Sequence, residues 1–579
     1  MEENNKINKE KPVKNKHGKE RKSRGNYITK GIVVLIALAI VAFILVISPN
    51  YKNEEITDRT NVIINNNNIT AHLKKEVYID EEGNIYLSME DLENFYDAFI
   101  YYDEQYNQII TTDNNKIGVM VVGENEIKVN DSIMRTAAPV IQKDDTYYLP
   151  IYELQDVYHM EATYIEETDI LLLDSLDRAQ QKADASKNLS VKSRMKFFSR
   201  TVDKVEQGEK VVLISTSEDG WAEIRTERGK IGYVKENKLA NIISVREEMP
   251  EEEKLQKVSL VWDYYSEYVT APDRSGTTIE GINVVSPTFF ALKRLGQGDI
   301  IDKAGEEGQA YVEWAKEQGY EVWALFSNES MIETTSEIMN DFKLREKTIK
   351  GIVDLAVKYG VDGINIDFEN MYMEDKDLFT RFIIELAPRL KDYGMTLSVD
   401  VTAPDGGETW SQCFDRYNLA KNVDYMIFMG YDQHGESSTV AGSVAGYDWI
   451  KLALDKFVGK QEGVPKEKMI LGIPFYTRVW YETEGEDLDS DVIDMADTES
   501  YISRRFPSSV ERVWNEETKQ NYIEYNNGST TYKMWIEDNQ SIQEKLNLAR
   551  EYELGGVAFW AKDREDESVW EVVKQYLEV

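Results

Sequence analysis

Hydrophobic positions in the last 320 or so residues follow two alternating rhythms. Short, strongly apolar runs recur at 257–265 ("KVSLVWDYY"), 281–290 ("GINVVSPTFF"), 320–327 ("YEVWALFS") and 361–369 ("VDGINIDFE"), and again at 395–403, 423–432 ("VDYMIFMGYD"), 469–477 and 555–563 ("GGVAFWAKD"). Their length and their β-branched and aromatic content read as strands. Between most of them lie stretches such as "TIKGIVDLAVKYG" and "DLFTRFIIELAPRLKDYG", whose apolar residues recur every three to four positions, as on an amphipathic helix. Eight strands with intervening helices predict a (β/α)8 TIM barrel over 255–579, in the α/β class. A long segment before the last strand, 480–545, contains strand-like "NYIEYNNGSTTYKMWIED" and predicts a small α+β insertion.

Upstream the pattern changes. "EEGNIYLSMEDLENFYDAFIYYDEQYNQII" (81–110) aligns without gaps on "KDDTYYLPIYELQDVYHMEATYIEETDILL" (143–172), with Tyr86/Tyr148, Leu87/Leu149, Leu92/Leu154, Tyr96/Tyr158 and Tyr102/Tyr164 coinciding. Each copy reads as strand, short helix and two short strands, so 60–175 is expected to be one α+β domain built from a duplicated unit. It resembles the copper-amine-oxidase N-terminal-like domain of bacterial surface proteins. No copper site is implied, because His72 and His159 stand alone; the expected role is that of a spacer or wall contact. A polar stretch, "DRAQQKADASKN" (177–188), separates it from short alternating runs over 189–243 that predict a small barrel of about five strands. There "GWAEIRTERGKIGYV" (220–234) resembles the bacterial SH3 family, which implies a cell-wall peptide as a possible ligand. The plainer reading is that Trp221 and Tyr233 fill that barrel's core.

At the N-terminus, residues 1–30 are basic and polar, and "GIVVLIALAIVAFILVIS" (31–48) carries no charge. A spanning helix needs at least about 17 apolar residues, so 31–48 is expected to be a transmembrane anchor; a cleaved signal peptide is the alternative, but no small-x-small site follows. The basic side faces the cytoplasm, 49–59 is a linker, and everything beyond is expected outside the cell membrane. A net charge of −38 argues against a nucleic-acid partner. The lone Cys413 excludes an intrachain disulfide framework.

Candidate chemistry sits in "VDGINIDFEN" (361–370). Asn365, Asp367 and Glu369 occupy every second position and so share one face of a strand, opposite Ile364, Ile366 and Phe368. In a barrel the apolar set faces the helices and the polar set faces inward, rising toward the carboxyl ends of the strands, where barrel enzymes work. Two acids roughly 6.5–7 Å apart along such a strand cannot both ionise comfortably, so one is expected to hold a proton near neutrality.

"DGINIDFE" (362–369) resembles the DGxDxDxE strand of glycoside hydrolase family 18, "MGYD" (429–432) its sixth-strand motif and "GGVAFW" (555–560) its closing strand. "NIDFEN", "MGYDQH" and "GIPFYTRVW" resemble the spore-cortex and cell-wall N-acetylglucosaminidase branch. The resemblance implies substrate-assisted retaining cleavage. Glu369 would protonate the glycosidic oxygen and Asp367 would orient the sugar's 2-acetamido group. Tyr431 would hydrogen-bond that acetamide. Asn365, Met429, Asp432, Trp560 and Tyr476 complete the substrate-binding candidates, with Trp560 as the apolar floor. Neither metal nor cofactor is needed. Asn365 replaces an Asp common in chitinases; it cannot carry a proton for Asp367, which would then lean on Glu369 and shift the pH optimum. Tyr476 and Trp323 line the cleft or belong to the core. His434 touches substrate or is solvated, and Cys413 has no evident catalytic partner. The insertion is expected to wall one side of the cleft.

The expected function is that of a membrane-anchored, extracellular glycosidase of N-acetylglucosamine polymers, peptidoglycan first. A non-catalytic wall-glycan binder, or a chitinase or endoglycosidase acting on other glycans, are the alternatives.

Overall fold

The computed structural model describes residues 55–113, 116–246, 257–265 and 270–577. The basic tail, the apolar 31–48 segment and most of the acidic 246–256 stretch lie outside them. Among the described residues no helix is long and apolar enough to cross a membrane. The chain divides into two compact units.

One unit holds residues up to His72, Thr163–Asp174 and Arg178–Glu247. Its seven-stranded antiparallel sheet runs, edge to edge, Thr201–Val205, Leu189–Lys192, Ile231–Lys235, Trp221–Thr226, Lys210–Thr216, Gln180–Ala185 and Leu239–Arg246. The sheet encloses Ala183, Leu189, Val191, Val211, Ala222, Ile224 and Val234. The polar separator expected at 177–188 therefore contains a strand. Its small Ala183 and Ala185 alternate inward, a periodicity that the surrounding charges obscure. The run "MKFFS" (195–199), inside the 189–243 segment whose short runs predict strands, is instead a turn between two strands, with Phe197 73% and Phe198 95% exposed. Trp221 is buried beneath Lys235, whose Nζ stands 4.4 Å from the ring centre.

The second unit holds Leu73–Ala162, Ser175–Asp177 and Glu248–Val579. The expected duplication is visible in its smaller lobe. Strands Ile85–Ser88 and Thr146–Pro150 pair antiparallel with Leu87 opposite its counterpart Leu149, and Tyr96 stacks on Tyr158 at 4.6 Å. The helix Met89–Phe95 has only a single turn, Ile151–Leu154, as its counterpart. The 60–175 stretch, expected to be one domain, is divided between the units. The last strand of the second copy, Ile170–Ser175, pairs in parallel with Asn61–Ile64, and Ile63, Ile170 and Leu172 cluster with Ile231 of the seven-stranded sheet.

The larger lobe is the barrel. Its strands are β1 (Val258–Asp263), β2 (Val284–Pro287), β3 (Glu321–Ser327), β4 (Gly363–Asp367), β5 (Thr396–Val401), β6 (Tyr425–Met429), β7 (Met469–Pro474) and β8 (Gly556–Trp560). Each pairs in parallel with the next, β2 with β3 and β8 with β1, so the ring closes. All eight fall within the predicted segments. Leu260, Trp262, Trp323, Leu325, Tyr425, Ile427, Ile470 and Ala558 fill the interior. Ile364, Ile366 and Phe368 pack outward, Phe368 lying 5.7 and 5.6 Å from Phe379 and Phe382 of the helix Lys376–Lys391.

The insertion starts earlier and ends earlier than expected. Tyr476–Thr483, Asp489–Asp494, Val513–Asn515, Gln520–Asn526 and Thr530–Ile536 form a five-stranded antiparallel sheet with the helix Thr498–Arg505. The chain returns to the barrel at Asp538, which caps the helix Asn539–Glu551 through a capping box with Ser541.

Within this second unit the two lobes share a buried ionic cluster. Glu385 accepts from Arg345 Nε at 2.9 Å and Arg381 Nε at 2.9 Å. The smaller lobe contributes the Phe99 carbonyl to Arg381 Nη1 at 2.8 Å and the Tyr101 hydroxyl to Arg345.

Candidate active site

β4 begins at Gly363 because no side chain fits there: a Cβ would lie 2.7 Å from the Thr396 carbonyl oxygen and 2.8 Å from the Trp323 ring. From that start the strand alternates, and Asn365, Asp367 and, just past its end, Glu369 follow the inward parity. Asn365 is fully buried inside the barrel. Its Oδ1 accepts from Trp262 Nε1 at 2.9 Å, and its Nδ2 donates to Ser398 Oγ at 3.1 Å and to Asp400 Oδ1 at 2.7 Å. Above it, Asp367 Oδ1 is buried with no hydrogen-bond partner.

Glu369 is half-buried at the open carboxyl end of the barrel. Burial first, then the charges of Asp367 and Asp432, push its carboxyl up to about 8. It is therefore a proton donor at neutral pH. Burial also holds Asp367 well above the usual carboxylate range; Asp400 and Glu329 push the same way and Lys303 opposes them. Lys303 and Glu329 form an ion pair at 2.8 Å. The acid's backbone is clamped: Asn328 Nδ2 donates to the Glu369 carbonyl at 2.8 Å and Asn328 Oδ1 accepts from Glu369 N–H at 3.0 Å.

β6 supplies the facing wall. Tyr425, Ile427 and Met429 share the inward parity, and Met429 is buried below the opening. Gly430 lets β6 and β7 approach, since a Cβ there would meet the Gly472 carbonyl oxygen at 2.6 Å. Tyr431 follows; its hydroxyl is held in the neutral form by burial, with Asp400, Tyr476, Asp367 and Glu369 all adding to that. Asp432, at φ 56°, accepts from Tyr476 Oη at 2.7 Å. Trp560 ends β8 and lies 5.7 Å from the Trp262 ring, which meets Tyr431 edge-on at 6.5 Å.

The predicted candidates on β4, β6 and β8 thus converge on one end of the barrel. Trp323 belongs to the core, stacked on Tyr425 at 5.2 Å. Tyr476 is both buried and tied to Asp432. His434 is held within its own loop, Nδ1 at 3.0 Å from the Ser443 carbonyl. Cys413 is buried, with Sγ donating to the Thr409 carbonyl at 3.2 Å. Asp400, Asn328, Trp262 and the Lys303–Glu329 pair were not anticipated. For Asp400 a signal existed: Ser398, Asp400 and Thr402 alternate along β5 just as the polar set does along β4. Among the described residues no cluster of His, Cys, Asp and Glu is arranged to hold a metal ion.

A closed parallel barrel with acidic side chains gathered at the carboxyl ends of its strands is the arrangement of a barrel enzyme. The model of the glycosyl hydrolases family 18 matches residues 260–565, more than half of the chain. The chain belongs to that family and is a glycosidase. Residues 63–173 match the copper amine oxidase N-terminal domain. Among curated relatives, the uncharacterized glycosylase YvbX of Bacillus subtilis is 27% identical over 51% of this chain and 84% of its own length. The putative sporulation-specific glycosylase YdhD of the same species is 26% identical over 48% of this chain and 65% of its own. A cortical fragment-lytic enzyme of Bacillus anthracis is 25% identical over 39% and 52%. The chain thus spans half to two-thirds of the length of the latter two. A chitinase structure from Chromobacterium violaceum is 23% identical, covering 56% of this chain and 99% of that one with a TM-score of 0.48.

Proposed function

We propose that this glycosidase cleaves β-1,4 bonds in N-acetylglucosamine-containing polymers, peptidoglycan foremost, by substrate-assisted retaining catalysis. The observation that carries the reading is the inward pair Asp367 and Glu369 at the barrel mouth, with Glu369 raised to about 8. Glu369 gives its proton to the glycosidic oxygen as the sugar's acetamide oxygen attacks the anomeric carbon and the C1–O bond breaks. Asp367 orients that acetamide and offsets the positive charge it develops. The Tyr431 hydroxyl, kept neutral, donates a hydrogen bond to the acetamide. Asp432, held by Tyr476, supports the same group, and Trp560 with Met429 forms the apolar surface beneath the ring. The Glu369 carboxylate then takes a proton from water as that water attacks the same carbon; the C1–O bond to the acetamide oxygen breaks, the acetamide is restored and the configuration is retained.

Peptidoglycan is favoured over chitin by the cortical fragment-lytic and sporulation-specific relatives and by the expected architecture. In that reading 1–30 is a cytoplasmic tail, 31–48 a single-pass anchor and 49–59 a linker; 60–175 and an SH3-like 189–243 module, which binds wall peptides, stand outside the membrane before the 255–579 barrel. A chitinase-like substrate preference is the second reading, favoured by the similarity, at 22% identity over 41% of this chain, to a probable chitinase of Drosophila melanogaster.

The test is release of reducing ends from purified peptidoglycan and from chitin oligosaccharides. Glu369→Gln should reduce turnover by roughly 10²–10⁴-fold while leaving sugar binding intact. Activity within about tenfold of wild type would remove Glu369 from the acid role.

A further inference from the structure

The carboxylate that Asn365 does not provide is present one strand away. β4 and β5 pair with Asn365 opposite Ser398 and Ile366 opposite Val399; the next positions in that register are Asp367 and Asp400. Leu397, Val399 and Val401 pack in the outer core, so Ser398 and Asp400 face inward. Adjacent strands lie about 4.8 Å apart, which sets two acids side by side within the barrel, Asp400 being 2% exposed.

Asn365 cannot serve Asp367. The Trp262 indole nitrogen only donates, and it donates to Asn365 Oδ1. That fixes the amide orientation and turns both Nδ2 hydrogens toward Ser398 Oγ and Asp400 Oδ1. Asp367 Oδ1 meanwhile has no partner at all. One proton held between the two acids removes their repulsion and satisfies the orphaned oxygen together.

We propose that Asp400 is a positioning acid for Asp367: it carries one proton, donates it as a hydrogen bond to the Asp367 carboxylate, and so holds that carboxylate in place for the acetamide. The proposal rests on the substrate-assisted reading above. The titratable groups around Asp400 are Asp367 and Glu369 from the end of β4 and Tyr431 beyond β6; the Lys303–Glu329 pair acts on Asp367 from the other side. Burial holds Asp400 well above the usual carboxylate range; the Asn365 hydrogen bond opposes this and the Glu369 charge adds to it.

Asp400→Leu in the full-length chain keeps most of the side chain's volume and removes both its proton and any hydrogen-bond donor toward Asp367, which Asn would retain. With chitin oligosaccharides or peptidoglycan, kcat should fall on the order of 10²-fold while KM changes by no more than about threefold. Asn365→Asp/Asp400→Leu moves the acid to the neighbouring strand and should recover about tenfold or more of the loss. Wild-type kcat in D400L, or an Asn365→Asp/Asp400→Leu protein no faster than D400L, overturns the proposal. Infrared spectroscopy reads the proton without turnover. Glu369→Gln protein should show a protonated-carboxyl C=O band at neutral pH that loses intensity when Asp400→Leu is added. Absence of the band from Glu369→Gln, or an unchanged band in Glu369→Gln/Asp400→Leu, overturns the proposal. A wild-type chain that cleaves no N-acetylglucosamine polymer would instead overturn the substrate reading, and the infrared comparison would still decide where the proton resides.

Discussion

Glu369 combines exposure to the barrel mouth with an ordinary carboxylate value of 4.5 raised to about 8. As general acid it works protonated, so activity should persist through neutrality and decline as pH rises through about 8. A pH profile of kcat/KM checks this; an alkaline limb at the ordinary carboxylate value would contradict it. The same shift bears on stability. Between 4.5 and about 8 the unfolded chain has released this proton while the folded chain retains it, so stability declines as pH rises across that window. Glu369→Gln escapes the penalty. Its Tm advantage over wild type should grow through the window and stay constant above it, as calorimetry at several pH values would measure. At this scale the sequence was most legible where parity alone decides: Asp367 and Glu369 announce themselves by alternation with Ile366 and Phe368. Asn328 and Trp262 reach β4 from 41 and 103 positions away, a relation that no local pattern carries.

Elements position these residues through a few close contacts. Asn328, immediately after β3, holds the peptide of Glu369 at both its N–H and its carbonyl, so the loop leaving β4 keeps the acid aimed at the mouth. Asn328→Ala should reduce kcat on the order of 10²-fold by loosening that aim, with little change in KM; steady-state kinetics separates the two, and an unchanged kcat would mean that the clamp is only structural. Strand positions were legible because buried parallel strands are uniformly apolar and stop at polar or glycine-rich turns. The insertion boundaries were less so. Tyr476 opens the insertion sheet directly after β7 without a polar break, and the helix beginning at Asn539 returns to the barrel behind the Asp538 cap. The short Ala-bearing strand Gln180–Ala185 was hidden by its charged neighbours, since alanine contributes weakly to any hydrophobic pattern.

For the molecule as a whole, the smaller lobe of the second unit is tied to the barrel by the Arg345–Glu385–Arg381 cluster, all three residues nearly inaccessible to solvent. Burial disfavours the charge on Glu385, but the two guanidiniums prevail and keep its carboxyl below the ordinary value. Glu385→Ala would leave Arg345 buried without a carboxylate and Arg381 with only the more distant Asp97 at 3.5 Å, at a cost of about 3–5 kcal/mol; denaturant unfolding of the full chain should show that loss, and a change below about 1 kcal/mol would mean that Asp97, Tyr101 or solvent compensates. Such contacts between lobes, here the Phe99 carbonyl and the Tyr101 hydroxyl against arginines of the barrel helices, are invisible to a reading of one segment at a time. The duplication itself was legible from the matched tyrosines and leucines. The anchor proposal belongs to this scale as well: the full chain should fractionate with membranes, and deletion of 31–48 should release it.

The central claim is that the acids of β4 cleave next to N-acetylglucosamine in a wall polymer. Mass spectrometry of borohydride-reduced fragments from purified peptidoglycan tests it directly. Reduced N-acetylglucosamine at the new ends, produced by wild type and not by Glu369→Gln, is the expected result; new ends on N-acetylmuramic acid, or equal products from both proteins, would contradict it.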